Sequence, residues 1–211
     1  MTAAASILTR KMTQYEKAHV PRWLVLSLQS YAFLCGVKWI EEDGYRLHER
    51  VRQSDLKRLM RQQLRRNQKV IEEIPYKWIA RREFQSERWR ADLAVRLRRL
   101  NDEASVVHRT QFVFELKYQD ADSEAFDRDL YKLARLHRAV RGRTWDCRTF
   151  LVVLGRGETH ERFADIGRPG TFRSTETPTV RSTYVTRGIF TAAAVGCEHD
   201  AHYVCLVEVT D

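Results

Sequence analysis

The chain has 211 residues, of which 43% are hydrophobic and 31% are charged, and its formal net charge is +9 at pH 7. This apolar fraction is too high for a disordered chain, and the length suits one domain or one domain with an extension. No stretch approaches the roughly 20 apolar residues that cross a bilayer, and the N-terminus lacks a secretory pattern. We therefore expect a cytoplasmic protein without membrane contact, whose four cysteines are reduced thiols.

Positive charge is concentrated in one part of the sequence. Residues 44–99 contain 17 Lys or Arg and 7 Asp or Glu, a net charge of +10, so the other 155 residues sum to −1. A basic block of this kind is typical of proteins that contact nucleic-acid phosphates, although it can also be only a solvated surface. A GC-rich genome would explain the use of Arg rather than Lys, but not the clustering.

Helices are predicted in the first third of the chain. Two helices, over residues 6–20 and 22–40, are separated at Pro21, because the residue before a proline disfavours the α conformation. A strongly basic helix is expected over residues 46–66, and Ser54-Asp55 either breaks it or caps it again.

Strands follow from residue 70. Residues 70–76 predict an edge strand because they contain a proline, and residues 88–96 alternate between apolar and charged side chains. This alternation predicts one apolar face, which consists of Trp89, Ala91, Leu93 and Val95. Residues 111–117 are predicted to form the next strand.

The remaining pattern completes an α/β fold. Ser123 is expected to cap a helix that extends to about Val140, and the apolar run 150–154 predicts a strand covered on both faces. Two more strands are expected near residues 181–191 and 203–209. We therefore predict a central mixed β-sheet flanked by helices in a domain over residues 44–211, with an N-terminal helical extension over residues 1–43.

A pair of carboxylates is the main candidate for chemistry. Glu115 and Lys117 are two residues apart on one strand and so project from the same face, and Asp92 lies beside Glu115 if the two strands pair. Adjacent carboxylates repel each other, and a bound divalent cation relieves that repulsion. Such a cation polarises a phosphoryl oxygen and activates water, while Lys117 can stabilise charge on the phosphate. The alternative is an exposed Glu115–Lys117 salt bridge without a chemical role.

These residues carry a resemblance to a known family. An Asp-bearing strand, then after 22 residues an apolar strand with Glu115-Leu116-Lys117, then a helix, resembles the PD-(D/E)xK superfamily of restriction-like nucleases. The resemblance implies a restriction-endonuclease-like core and a Mg²⁺-dependent phosphodiester hydrolase, with Mn²⁺ as the alternative metal. It implies Asp92 and Glu115 as metal ligands, the Leu116 carbonyl as a further ligand, and Lys117 in the transition-state role. Ala91 replaces the proline of the family, which takes no part in the chemistry.

The resemblance also implies residues outside these strands. Many members carry a glutamate on the first core helix; Glu49 is the best match for this catalytic role, and Glu73 and Glu83 are alternatives. Asp129 and Lys132 are candidates for a polar residue on the helix that follows. A cluster of Cys and His at residues 197–205 has no zinc-finger spacing, and we expect a core cysteine and loop histidines there.

The expected partner is a nucleic acid, with DNA favoured because most of the resembled family acts on DNA. Contacts to the phosphate backbone are expected from five arginines: Arg61, Arg65, Arg66, Arg81 and Arg82. Cutting both strands of a duplex would favour a homodimer or partner subunits. Two alternatives stay open: a catalytically inactive, nuclease-like subunit for nucleic-acid binding or assembly, and an unrelated protein-interaction domain.

Overall fold

The computed structural model describes residues 8–10, 13–41, 49–85, 87–100, 106–141, 147–173, 181–194 and 196–210. In chain order its strands and helices are β1 (Leu8–Arg10), β2 (Gln14–Tyr15), α1 (Arg22–Glu41), α2 (Glu49–Gln63), β3 (Gln68–Pro75), β4 (Arg90–Leu100), β5 (Val106–Tyr118), α3 (Ser123–Val140), β6 (Arg148–Arg156), β7 (Pro169–Arg173), β8 (Arg181–Ala194) and β9 (His202–Val209). A short 3₁₀ helix, Tyr76–Trp78, follows β3. Within these ranges, no helix has the length and apolar character needed to cross a membrane.

A single mixed sheet lies at the centre of the described structure. Its strand order is β1-β8-β9-β6-β5-β4-β3, and β2 and β7 also pair with β8. β5 and β6 are parallel and are joined through α3, whereas the other described strands pair in antiparallel fashion. The predicted α/β class with a mixed sheet is confirmed. The carboxyl ends of β3, β5 and β6 lie at one edge of the sheet, because β4 runs antiparallel between β3 and β5.

Helices cover both faces of this sheet. α1 and α2 pack on one face, where Leu24, Leu28 and Leu56 contact the layer that contains Phe114. α3 packs on the other face through an apolar stripe that includes Leu130. Successive residues of β6 alternate between the two layers, so this strand is buried on both sides, as its continuous apolar sequence predicted.

The N-terminal segment differs from the prediction. A helix over residues 6–20 is wrong: the described part of this segment forms β1, β2 and a turn. The edge of β8 supplies backbone partners to both strands, and this pairing outweighs a weak helical pattern. The second predicted helix is confirmed as α1. The described elements of this segment pack on the same sheet as the later strands, and the division at residues 43 and 44 stays a prediction.

Three local predictions also need correction. The N-cap of α3 is Asp122, whose side chain accepts from the Ala125 N–H at 2.6 Å, and Ser123 is the first helical residue. In the segment around β4, Leu93 and Val95 pack beneath α1 and α2, whereas Trp89 and Ala91 join the α3 layer. The alternation is broken at Asp92. β7 was not predicted, and residues 46–48 of the predicted basic helix lie outside the described ranges.

Candidate active site

The two predicted carboxylates stand where β4 and β5 separate. Pairing between these strands begins at Leu93 and Phe114, so Asp92 and Glu115 occupy the next position, just beyond the ladder. Residues opposite each other in antiparallel strands share a face, and this face is the one covered by α3. The structure therefore brings Asp92 and Glu115 together, as the hairpin pairing predicted.

Glu115 is almost completely buried, with 3% of its surface exposed. Its Oε1 accepts a hydrogen bond from the Tyr76 hydroxyl at 2.6 Å, and Tyr76 itself is fully buried in the 3₁₀ helix after β3. Burial, together with the nearby charges of Asp92 and Asp129, raises the pKa of Glu115 well above its ordinary value. Lys132 and the Tyr76 hydroxyl oppose this shift without cancelling it. A cation would therefore stabilise the ionised form of Glu115.

Asp92 is anchored through both its side chain and its backbone. Its Oδ2 accepts a hydrogen bond from the Leu116 N–H at 2.6 Å, which places Leu116 beside the two carboxylates. Its backbone carbonyl accepts a hydrogen bond from the amide of Gln53, a buried residue of α2. These bonds use backbone groups that the strand ladder no longer pairs at this position.

Lys117 lies on the same side of the sheet but does not pair with Glu115. Its Nζ contacts Asp129 Oδ2 at 2.7 Å, and Lys132 Nζ contacts the other oxygen of Asp129 at 2.7 Å. Burial opposes the charge of Lys132, but the carboxylates of Glu115 and Asp129 outweigh it and raise the pKa of Lys132. The exposed Glu115–Lys117 salt bridge considered above is therefore wrong, because Glu115 is buried and Asp129 holds the amine.

The three candidate glutamates are placed differently. Glu49 begins α2, one turn before Gln53, and its side chain lies outside the described part of the structure. Glu73 stands opposite Asp92 between two paired positions of β3 and β4, and its Oε1 is 3.5 Å from Gln53 Nε2. Its backbone has φ of +51°, in the left-handed region that a non-glycine residue rarely adopts. Glu83 is exposed in the turn after the 3₁₀ helix.

This unusual conformation of Glu73 explains the broken alternation in β4. β3 and β4 are paired on both sides of Glu73 and Asp92 but not at these residues. The left-handed conformation of Glu73 turns β3 out of the ladder at this point. As a result Ala91 and Leu93, which are two positions apart, face opposite layers instead of the same one. Because the ladder is interrupted here, the Asp92 carbonyl accepts its hydrogen bond from the Gln53 side chain.

Five arginines were predicted to contact nucleic acid, and all five are exposed. Arg61 lies in the last turn of α2, with Arg65 and Arg66 just beyond it, and Arg81 and Arg82 follow the 3₁₀ helix. Trp78, in that 3₁₀ helix, is 65% exposed and lines a surface depression with Arg81. Trp78, the exposed aromatic residue of this basic surface, is two positions after Tyr76, whose hydroxyl contacts Glu115.

Sequence reasoning missed Tyr76 and Gln53, and left Asp129 and Lys132 as unassigned candidates. Tyr76 was placed at the end of a strand, with no sign that its hydroxyl reaches a residue 39 positions away. For Asp129 a signal exists: it is an acidic residue among apolar positions of an amphipathic helix, and it is 3% exposed. A buried acid on such a helix requires a cationic partner.

The donor set suits a hard divalent cation. Mg²⁺ takes oxygen ligands and is usually held by one or two carboxylates while it retains water. Asp92 and Glu115 supply two carboxylates, and the backbone of Leu116 contacts Asp92. Among the described residues, no group of three or more His, Cys, Asp or Glu side chains could hold a metal ion. At the former zinc candidate, Cys205 is buried in β9, and His202 begins that strand instead of lying in a loop.

Comparisons of the chain with protein-family models, curated proteins and solved structures gave no match. The geometry of this site is therefore the basis for inferring a function.

Proposed function

We propose that the protein is a metal-dependent nuclease that hydrolyses phosphodiester bonds, with DNA as the expected substrate. The observation that carries this proposal is the pair of carboxylates, Asp92 and Glu115, at the point where β4 and β5 separate, with the charge of Asp92 contributing to the raised pKa of Glu115. A domain without a ligand gains nothing from two acids in this position, because their repulsion and burial both oppose folding.

The charges of the site fit a phosphodiester substrate. Three carboxyl groups, Asp92, Glu115 and Asp129, face two amines, Lys117 and Lys132. With a proton on Glu115 these charges balance. A divalent cation in place of that proton leaves one net positive charge, which complements the single negative charge of a phosphodiester.

In this proposal Asp92 and Glu115 hold Mg²⁺, with the Leu116 carbonyl as the further ligand that the resemblance implies. The bound cation would polarise a phosphoryl oxygen and lower the pKa of water. The Leu116 N–H and the Tyr76 hydroxyl orient the two carboxylates. Asp129 holds Lys117 where its ammonium can stabilise charge that develops on the phosphate. The order α2-β3-β4-β5-α3-β6 also supports the resemblance, since it places a helix before the first strand and another after Glu-x-Lys.

A second candidate is a nuclease-like subunit that binds nucleic acid or serves assembly without cutting it. The deep burial of Glu115 and its hydrogen bond to Tyr76 favour this alternative, because a carboxyl group in that environment is stable in its protonated form. Such a protein would bind nucleic acid in a salt-dependent manner and would have no affinity for Mg²⁺ at Asp92.

Cleavage of plasmid, linear and single-stranded substrates in a salt series with Mg²⁺ tests both candidates. Asp92→Ala and Lys117→Ala are expected to lower the rate by about 100-fold or more. Asp165→Ala removes an exposed carboxylate outside the site and serves as the matched control. Cutting at the wild-type rate by both site variants would exclude the proposed mechanism. Binding without cleavage by the wild-type protein would establish the second candidate.

A further inference from the structure

A cavity lies at the same end of the sheet as the carboxylates, on the face that α1 and α2 cover. It has a volume of about 400 Å³ and opens where β5 and β6, the parallel pair, end. Its walls include Tyr118, the residue after Lys117, and Trp39, Arg52, Arg156 and His202. The volume is in the range of small-molecule sites, which in α/β sheets form beyond the carboxyl ends of strands.

The cavity presents aromatic planes and cations together. The guanidinium carbon of Arg156 is 4.2 Å from the centre of the Trp39 ring, and that of Arg52 is 3.1 Å from the centre of the Tyr118 ring. The Trp39 and His202 rings are 5.6 Å apart. Nucleobases stack on aromatic side chains and on guanidinium planes, and guanidinium groups bind phosphate.

Two polar atoms in this wall are buried without a hydrogen-bond partner among the described residues. They are the Tyr118 hydroxyl and Nε of Arg156, whose Nη2 is paired with Asp200 at 2.8 Å. A buried polar group without a partner opposes folding, so its presence in a stable fold points to a ligand. A ligand that accepts from Arg156 and bonds to the Tyr118 hydroxyl would supply both missing bonds.

The side chains of the opposite wall are held by hydrogen bonds within the protein. The Tyr203 hydroxyl donates to Gln119 Oε1 at 2.6 Å and accepts from the His160 N–H at 3.0 Å. Gln119 Nε2 donates to the Arg156 carbonyl at 2.9 Å. Gly155 lies between these side chains, and a Cβ there would approach Tyr203 within 2.3 Å. The cavity is therefore a fixed part of the fold and does not require rearrangement to form.

We infer that this cavity binds one nucleotide, with its base stacked among the aromatic and guanidinium planes and its phosphate at Arg156. The inference rests on the proposed function in one respect, namely that the nucleotide belongs to the substrate strand. Gln119 directly follows β5 and is four positions after Glu115, which corresponds to about 13 Å of extended chain. The carboxylates lie on the face covered by α3, so a strand held here would have to pass over the end of β5 to reach them. A nucleotide in this cavity would favour substrates with an unpaired nucleotide.

Binding is measured by calorimetry on the full chain in EDTA, so that the result does not depend on cleavage. The probes are deoxyadenosine 5′-monophosphate, deoxyribose 5-phosphate, inorganic phosphate and a single-stranded oligonucleotide of six residues. The mononucleotide is expected to bind about 5- to 150-fold more tightly than deoxyribose phosphate, which is the range for one base stacked on an aromatic ring. Arg156→Gln is expected to raise the Kd of the mononucleotide by about tenfold or more.

Tyr118→Phe provides the sharpest variant because it removes only the unpartnered hydroxyl. We expect this variant to leave the stability of the free protein unchanged or to raise it. We expect its Kd for the mononucleotide to be about three- to tenfold higher than that of the wild type. Tyr203→Phe is the matched control, since it removes a hydroxyl with two partners and should destabilise the free protein. Unchanged nucleotide binding by both Tyr118→Phe and Arg156→Gln would overturn the inference.

The other outcomes are also decisive. Phosphate that binds as tightly as the mononucleotide, or no binding of any nucleotide, would overturn the inference. Tighter binding of the oligonucleotide than of the mononucleotide supports a substrate strand as the source, and the reverse order supports a free nucleotide in the same cavity. Asp92→Asn separates the two proposals: it should abolish cleavage and keep mononucleotide binding. Binding by a wild-type protein that never cuts would refute only the nuclease.

Discussion

The buried carboxyl group of Glu115 makes the stability of the metal-free protein depend on pH in an unusual direction. Because the pKa of Glu115 is raised in the folded state, the folded protein binds more protons than the unfolded chain above the ordinary value of 4.5. The free energy of unfolding therefore falls as pH rises through this window. Glu115→Gln keeps the size of the side chain and an acceptor for the Tyr76 hydroxyl, but removes the titration.

The magnitude follows from the burial of this group. With 3% of Glu115 exposed, solvent screens little of the effect. The wild-type protein is expected to lose up to about 1.4 kcal/mol of stability per pH unit between 4.5 and the raised pKa of Glu115, relative to Glu115→Gln. Mg²⁺ at ten times its Kd should then raise the free energy of unfolding of the wild type by about 1.4 kcal/mol at neutral pH, and should not change that of the variant.

The assay is unfolding by denaturant at pH 5, 6, 7 and 8, first with EDTA and then with Mg²⁺. Glu158→Gln, which changes an exposed glutamate, is the control and should follow the wild type in both series. If the free energies of unfolding of the wild type and Glu115→Gln change in parallel with pH, the raised pKa of Glu115 is refuted. An equal gain from Mg²⁺ in both proteins would show that the cation binds elsewhere.

Three further predictions concern single side chains. Glu73→Gly should raise the free energy of unfolding by roughly 0.5–1 kcal/mol because it relieves a positive φ, whereas Lys69→Gly, an exposed residue of the same strand, should lower it by a similar amount. Trp78→Ala should weaken binding of single-stranded DNA about 5- to 150-fold in a filter-binding assay, while Leu26→Ala, at another exposed apolar side chain, should not change it. Burial and Arg156 lower the pKa of His202 to about 4, so the wild type should lose stability relative to His202→Gln as pH falls from 6.5 to 4 in denaturant titrations.

Where one residue pattern dominated, the sequence was sufficient to predict the structure. The period of the apolar residues in α3 and the continuous apolar run in β6 were confirmed, and so was the convergence of Asp92 with Glu115, because strand alternation and pairing determine all three. The prediction for the N-terminal segment failed because its conformation depends on pairing with β8, whose partner residues are 173 to 186 positions away in the chain.

Other parts of the site could not be predicted because they depend on contacts between distant residues. The hydrogen bond from Tyr76 to Glu115 and that from Gln53 to Asp92 each span 39 positions, and no local pattern marks either donor. The pairing of Lys117 with Asp129 likewise depends on how α3 lies across the sheet. Residue types at fixed spacing predicted which acids meet, but not which neighbours orient them.

Three unfavourable features gather at one edge of this sheet. A non-glycine residue adopts a positive φ at Glu73, a carboxyl group is buried at Glu115, and two polar atoms of the cavity wall have no hydrogen-bond partner in the described structure. Each opposes folding by an amount of the order of 1 kcal/mol or more, and an apolar or glycine substitution would remove each one. Their combination at one edge is not explained by the needs of the core, which both helical layers satisfy without them. Ligands that bind there would offset two of the three, because a cation stabilises the buried acid and a nucleotide supplies the missing hydrogen bonds.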